Sequence, residues 1–292
     1  MKIAVHITFY LKKDKKNKLK QFKKIYNNFF KISPHAKIFV HTNKKIKDYK
    51  KNLFFIHHDI KNENPYRLSW KCRSLMEKQR DDFDYFIYSE DDIIFTKKNF
   101  KYWLKYKNLF NKYGYNVGFI RTEKLKSHKK LWLVDQLQKL NEYIVLNKKF
   151  FFIVKNPYCA MWIYDKNDFN LFLNSKFWDL SKWRGLNSNV KLYDREKSAI
   201  GWHGLSMDRY KATLVPVTKN KLVSDCLISH SSNKYVNLLG RLHVSSKELI
   251  SKKSLPFKRK KYSKFTILLN ELKFITYQLL RFNLKNLKKF IT

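Results

Sequence analysis

The sequence predicts an α/β fold, a mixed and mostly parallel sheet flanked by helices, followed by a basic amphipathic C-terminal helical tail. Three observations carry this prediction. Strand-like, helical, strand-like and strand-like segments follow one another at residues 3–10, 19–31, 36–41 and 53–58, an order that calls for parallel strands joined by crossovers. Residues 84–89 are short, β-rich and apolar on both faces, the pattern of a strand buried on both sides. From residue 246 the chain changes character, and apolar and basic residues alternate at helical spacing.

Each element has its own signal. The first strand, residues 3–10, ends in Thr8, Phe9 and Tyr10, polar and aromatic groups placed to meet a nucleotide. The first helix repeats Leu19, Phe22, Ile25, Tyr26, Phe29 and Phe30 at three- and four-residue intervals. His57, His58 and Asp59 close the third strand. Adjacent strand residues point to opposite faces, which makes them a poor metal site, and leaves Asp59 as a contact for a base or ribose. Asn64–Pro65 marks a turn and residues 66–83 read as a helix carrying Arg67, Lys71 and Arg73. These three either face a phosphate or form a solvated basic face. A helix over residues 98–113 buries Phe100, Trp103, Leu104 and Leu109 and ends at Gly114. Strands follow at 115–122 and 150–154, then an aromatic, proline-interrupted stretch at 156–164, and a helix over 165–178 started by Asp165 or Asn167. Asp194–Glu196 precede small and glycine residues, a helix start beside a cavity. Residues 212–217 and 222–228 read as strands, the second delivering His230 with Ser231, Ser232, Asn233 and Lys234 behind it.

Composition narrows the class. The 292 residues are 44% hydrophobic and 17% aromatic, enough for a core, and this excludes a disordered basic chain. The formal net charge of +40 is mostly lysine. An AT-rich genome also yields this mixture with Asn, Ile, Phe and Tyr, but the surface still attracts phosphates, nucleic acids and anionic lipids. Cys72, Cys159 and Cys226 lie far apart with no CxxC spacing, so reduced thiols in a reducing compartment are expected. No run approaches the ~18 apolar residues of a membrane span, and no signal-peptide core precedes the first strand. The expectation is a cytoplasmic protein, soluble or peripheral on the membrane.

The chemistry concentrates at Glu90, Asp91 and Asp92, three acids in an apolar run that resumes with Ile93, Ile94 and Phe95. If they interrupt one continuous strand, Glu90 and Asp92 face one way and Asp91 the other. Ligands of open α/β sheets gather at the carboxyl ends of the strands. Carboxylates crowded there repel one another unless a cation holds them, and a hard divalent ion binds phosphates alongside. The bland alternative is a surface turn that caps the next helix.

With these residues in place, the chain resembles a nucleotide-sugar-dependent glycosyltransferase of the GT-A fold, a Rossmann-like architecture. The resemblance rests on YFIYSEDDIIF as a variant of the DxD motif, on YRLSWKCRSLM before it and on ISHSSNKY near the end. It covers residues 1–240, within a catalytic domain of 1–245 followed by the tail, 246–292. It implies Mn²⁺ or Mg²⁺ held by Asp92 and His230 together with Glu90, or with Asp91 in its place, and otherwise Asp91 on the donor. It also implies a UDP or GDP sugar near Thr8, Tyr10, Asp59, Arg67, Lys71 and Lys234, and a glycan or lipid-linked acceptor. Glu196, with Asp194 beside it, stands where an inverting enzyme needs its base. Glu90 replaces the usual Asp. The alternative is a metal-dependent nuclease or nucleic-acid-binding protein, motivated by charge and clustered acids. It is weaker because the basic residues spread along the whole chain, and no nucleic-acid partner is expected. The tail, with KRKK at 258–261 and lysines opposite Leu268, Leu269, Leu272, Ile275 and Leu279, is expected to lie on an anionic membrane surface.

Overall fold

The structure, a computed structural model, describes residues 1–11, 15–46, 50–124, 131–135, 140, 142–154, 156–183, 194–202, 209–218, 221–233 and 235. The tail at 246–292, its boundary and Lys234 lie outside the described residues.

The chain opens with β1 (Ile3–Phe9), α1 (Lys15–Ile32), β2 (Lys37–Thr42) and β3 (Leu53–His57). The predicted helix over 66–83 is instead a 3₁₀ turn, Pro65–Trp70, followed by α2 (Arg73–Lys78). Asn64 caps the 3₁₀ turn by accepting from the Tyr66 amide at 3.0 Å, and Pro65 fits its first position. Next come β4 (Tyr85–Glu90), β5 (Ile93–Ile94) and α3 (Lys97–Lys112). Thr96 and Asn99 form a reciprocal cap on α3, and Gly114, at φ +76°, follows its end. Beyond lie β6 (Asn116–Val117), β7 (Ile120–Lys124), β8 (Leu131–Leu133), β9 (Tyr143–Leu146) and β10 (Lys149–Val154). The described chain finishes with β11 (Met161–Asp165), α4 (Lys166–Leu173), α5 (Asp194–Ile200), β12 (Thr213–Thr218), β13 (Lys221–Leu222) and β14 (Leu227–His230).

The main sheet has the order β11-β4-β1-β2-β3. β4, β1, β2 and β3 are parallel and β11 is antiparallel to β4. β1 is buried along its whole length, as the middle strand of such a sheet must be. Its odd residues Ile3, Val5, Ile7 and Phe9 pack with Phe22, Ile25 and Phe29 of α1 and Phe100 and Trp103 of α3. Full burial of side chains of this size contributes about 1.5–3 kcal/mol apiece. The opposite face gathers Ala4, Phe86 and Tyr88 with Met76 of α2, Phe169 and Phe172 of α4 and Ala199 of α5. The connection from β1 to β2 therefore covers one face and that from β3 to β4 the other. Strand order reverses between β1 and β4, the place where open α/β sheets bind ligands at the carboxyl ends of their strands.

Two smaller sheets complete the architecture. One has the order β13-β12-β10-β9, antiparallel, with β6 added parallel to β12. The other has the order β5-β14-β7-β8. In it His230 pairs with Ile93 and Ser229 with Thr122, so the turn after β4, the end of β14 and the end of β7 meet. Asn99 of α3 donates to the carbonyls of Asp225 and Leu227 at 2.7 and 2.9 Å, fixing the entry into β14.

Candidate active site

The acidic run does not interrupt one strand. Glu90 is the last residue of β4, opposite Thr8 of β1. Asp91 and Asp92 form a turn, and Ile93 starts β5 in a different sheet. The apolar residues on both sides are buried because each flank enters its own sheet. The expected alternation of Glu90 and Asp92 on one strand face is replaced by a turn that sends the three carboxylates to three different partners.

Glu90 is 7% exposed. It accepts from the Tyr158 hydroxyl at 3.3 Å and faces Arg195 Nε at 3.6 Å. Burial lifts its carboxyl to about 7, with Arg195 opposing the shift and Asp92 adding to it. Asp91 pairs with Lys18 of α1 at 2.7 Å, and Lys18 also donates to the Tyr10 carbonyl. Asp92 Oδ2 lies 2.9 Å from His230 Nε2, and the Asp92 carbonyl accepts from the Ser231 amide. His230 Nδ1 lies 2.5 Å from Glu123 Oε1. Burial draws the imidazole down, but the bonds to Asp92 and Glu123 outweigh it, and its pKa is raised. The late histidine thus sits between two carboxylates, one on the turn after β4 and one on β7.

The other expected residues divide. Thr8 lies at the same strand ends, its hydroxyl 3.2 Å from that of Tyr88. Asp194 opens α5 and meets Arg67 at 3.3 Å, so two of the expected residues pair with each other. The Asp194 carbonyl accepts from Trp70 Nε1 at 2.6 Å. Glu196, on the same turn of α5, is half-buried within electrostatic range of Tyr158 and Arg195. Lys71 pairs with Glu63 at 2.6 Å. Asp59 is exposed just beyond β3 and accepts from the Lys61 amide.

Sequence reasoning missed Lys18, Arg121, Glu123 and Arg195. Glu123 is 1% exposed and Arg121 3%. Arg121 reaches Asp135 at 2.6 Å and lies between the rings of Tyr158 and Tyr235, 5.1 and 5.3 Å from their centroids. Arg195 stacks over the exposed Tyr66 ring at 5.4 Å. The only hint of a site in RTEK is its place at the end of a strand.

Of the residues expected to hold a metal, the structure brings Asp92 and His230 together. One carboxylate oxygen and one imidazole nitrogen converge, and a buried carboxylate holds the other ring nitrogen, the usual support of a metal-ligating histidine. Among the described residues, no group of three or more His, Cys, Asp or Glu is placed to hold a metal ion. Mg²⁺ ordinarily takes one or two protein groups and completes its shell with substrate phosphates and water. Glu90, expected as a third ligand, is engaged by Tyr158 and Arg195.

No protein-family model matches this sequence, and no curated protein does. Among solved structures, the crystal structure of S. aureus TarS 1–349 is similar over 80% of this chain, at 14% identity and a TM-score of 0.40. The chain matches 61% of that structure's length. Among the described residues, no helix is long and apolar enough to cross a membrane.

Proposed function

We propose that this chain is a metal-dependent glycosyltransferase that moves a sugar from a nucleoside-diphosphate donor, UDP or GDP, to a glycan or lipid-linked acceptor. The observation that carries the reading is the approach of Asp92 Oδ2 to His230 Nε2 at 2.9 Å, on the turn that follows β4 at the β1–β4 reversal of strand order, where α/β sheets bind nucleotides. In this reading Asp92 and His230 would hold Mn²⁺ or Mg²⁺, which would supply Lewis-acid stabilisation of the leaving diphosphate. Glu123 holds the proton on His230 Nδ1, so that Nε2, which bonds Asp92, is the nitrogen that would turn to the metal. Lys18 fixes Asp91 next to Tyr10 and holds the end of β1 against the turn. Arg67, Lys71 and Lys234 add positive charge for the diphosphate, and Asp59 serves the base or ribose. Glu196 takes the proton from the acceptor hydroxyl, the role an inverting transfer demands, and Arg195 balances the charge around Glu90 and Glu196. The tail brings the domain to an anionic membrane surface.

The test is a thermal-shift panel of the full chain with Mn²⁺ or Mg²⁺, UDP, GDP, and single- and double-stranded oligonucleotides. Metal-dependent stabilisation by one nucleoside diphosphate is expected. Stabilisation by oligonucleotide, with none by either diphosphate, replaces this reading with the nucleic-acid one.

A further inference from the structure

Arg73 carries a charge with no visible use. It is 5% exposed, so the expectation that it faces a phosphate or solvent does not hold. Its guanidinium lies among four rings, 4.4 Å from the Trp178 centroid, 4.9 Å from Trp70, 5.0 Å from Phe172 and 5.4 Å from Trp162. Among the described residues no carboxylate pairs with it, and Nε and Nη1 have no hydrogen-bond partner. Nη2 donates to the Ser198 carbonyl at 3.1 Å. A buried cation without a counter-ion is unfavourable, and aromatic faces offset only part of the penalty. An apolar side chain of similar length would suit such a site better for stability alone.

The polar contacts of Arg73 all go to α5. Ser198 accepts from Arg73 and from Trp162 Nε1, its hydroxyl donates to the Ser69 carbonyl at 2.9 Å, and Trp70 Nε1 holds the Asp194 carbonyl. The same short helix carries Arg195 to Glu90 and sets Glu196 beside Tyr158. We infer that Arg73 is a positioning residue, a caged cation that docks α5 and thereby aligns Arg195 and Glu196 with the acidic turn. Its kinetic consequence rests on the proposed transferase reading; its structural consequence does not.

The experiment compares full-length wild type with Arg73→Met and Arg73→Lys by thermal melting, by hydrogen exchange of the peptide covering residues 194–200, and by metal-dependent sugar transfer. Arg73→Met is expected to melt at or above the wild-type temperature while amides of 194–200 exchange at least ~10-fold faster, because local opening is independent of global stability. Turnover should fall on the order of 10- to 100-fold with donor affinity nearly unchanged, as for misplacement of a catalytic element. Arg73→Lys keeps a donor for the Ser198 carbonyl and should lie between the two; it decides the matter if Arg73→Met does not fold. Unchanged exchange at 194–200, or exchange that accelerates equally across the main sheet, overturns the inference. A wild-type chain that transfers no sugar removes the proposed function, while the exchange comparison still decides on Arg73.

Discussion

Replacing His6 by Gln should flatten the acid limb of the stability profile. His6, His41 and His58 form a line across β1, β2 and the residue just after β3. His6 Nδ1 lies 3.0 Å from His41 Nε2, and His41 Nδ1 lies 2.9 Å from His58 Nε2. Gln79 Oε1 accepts from His6 Nε2 at 3.1 Å and so orders the protons along the chain. Burial lowers the His6 pKa from 6.5 to about 3. Burial also lowers His41 and His58, with neighbouring charges adding to the effect. The unfolded chain therefore binds these protons more readily than the folded one. The contribution of neutral His6 is complete above pH 6.5 and is lost as pH falls towards about 3. At ~1.36 kcal/mol per unit the full loss is about 5 kcal/mol, of which about 2 kcal/mol falls between pH 7 and pH 5. Glu90 and His230, both raised, act in the opposite sense, so the wild-type profile alone is not diagnostic. The difference between wild type and His6→Gln isolates the histidine. Urea unfolding at both pH values should show the stability gap shrinking, or reversing, by about 2 kcal/mol at pH 5. Parallel profiles would refute the argument that His6 is buried and neutral.

Three other outcomes follow from the same structure. Glu123→Gln leaves a neutral amide against His230 Nδ1 and should weaken metal-dependent nucleotide binding by about 10- to 100-fold, measured by calorimetry; unchanged affinity removes its supporting role. Glu196→Gln should lower kcat with little change in donor affinity, and an NMR-determined product of retained anomeric configuration rules out its role as base. A 1–245 truncation should lose salt-sensitive co-sedimentation with anionic liposomes, with each basic residue near the surface worth about 1 kcal/mol; equal binding by the truncated chain shows that the tail is not the anchor.

Much of the main sheet was legible because β1, β2 and β4 are buried on both faces and so are mostly apolar, while the edge strand β3 still reads LFFIH although it is only partly buried. Residues 3–10, 36–41, 53–58 and 84–89 all correspond to strands in the structure, within a residue or two. The acids were legible as a site but not in their geometry. Ile93 and Ile94 look like a continuation of β4 because they are equally apolar, yet they pair with β14. Only long-range pairing distinguishes the two. Glu123 and Arg121 were hidden for a related reason. In RTEK they read as a solvated strand end, and their burial depends on His230 and Asp135, 107 and 14 residues away. The continuous helix expected over 66–83 breaks at Lys71–Cys72, where the 3₁₀ turn and α2 pack separately against α5 and the sheet. His6 and His41 sit in apolar strands, and that sequence signal was visible but unused.

The central claim is tested most directly by release of UDP or GDP from their sugar conjugates, with Mn²⁺ and with EDTA, for wild type and Asp92→Asn. The account predicts release by wild type from one conjugate in Mn²⁺, and none in EDTA or from a folded Asp92→Asn chain. Equal release in EDTA, or full release by Asp92→Asn, would contradict it.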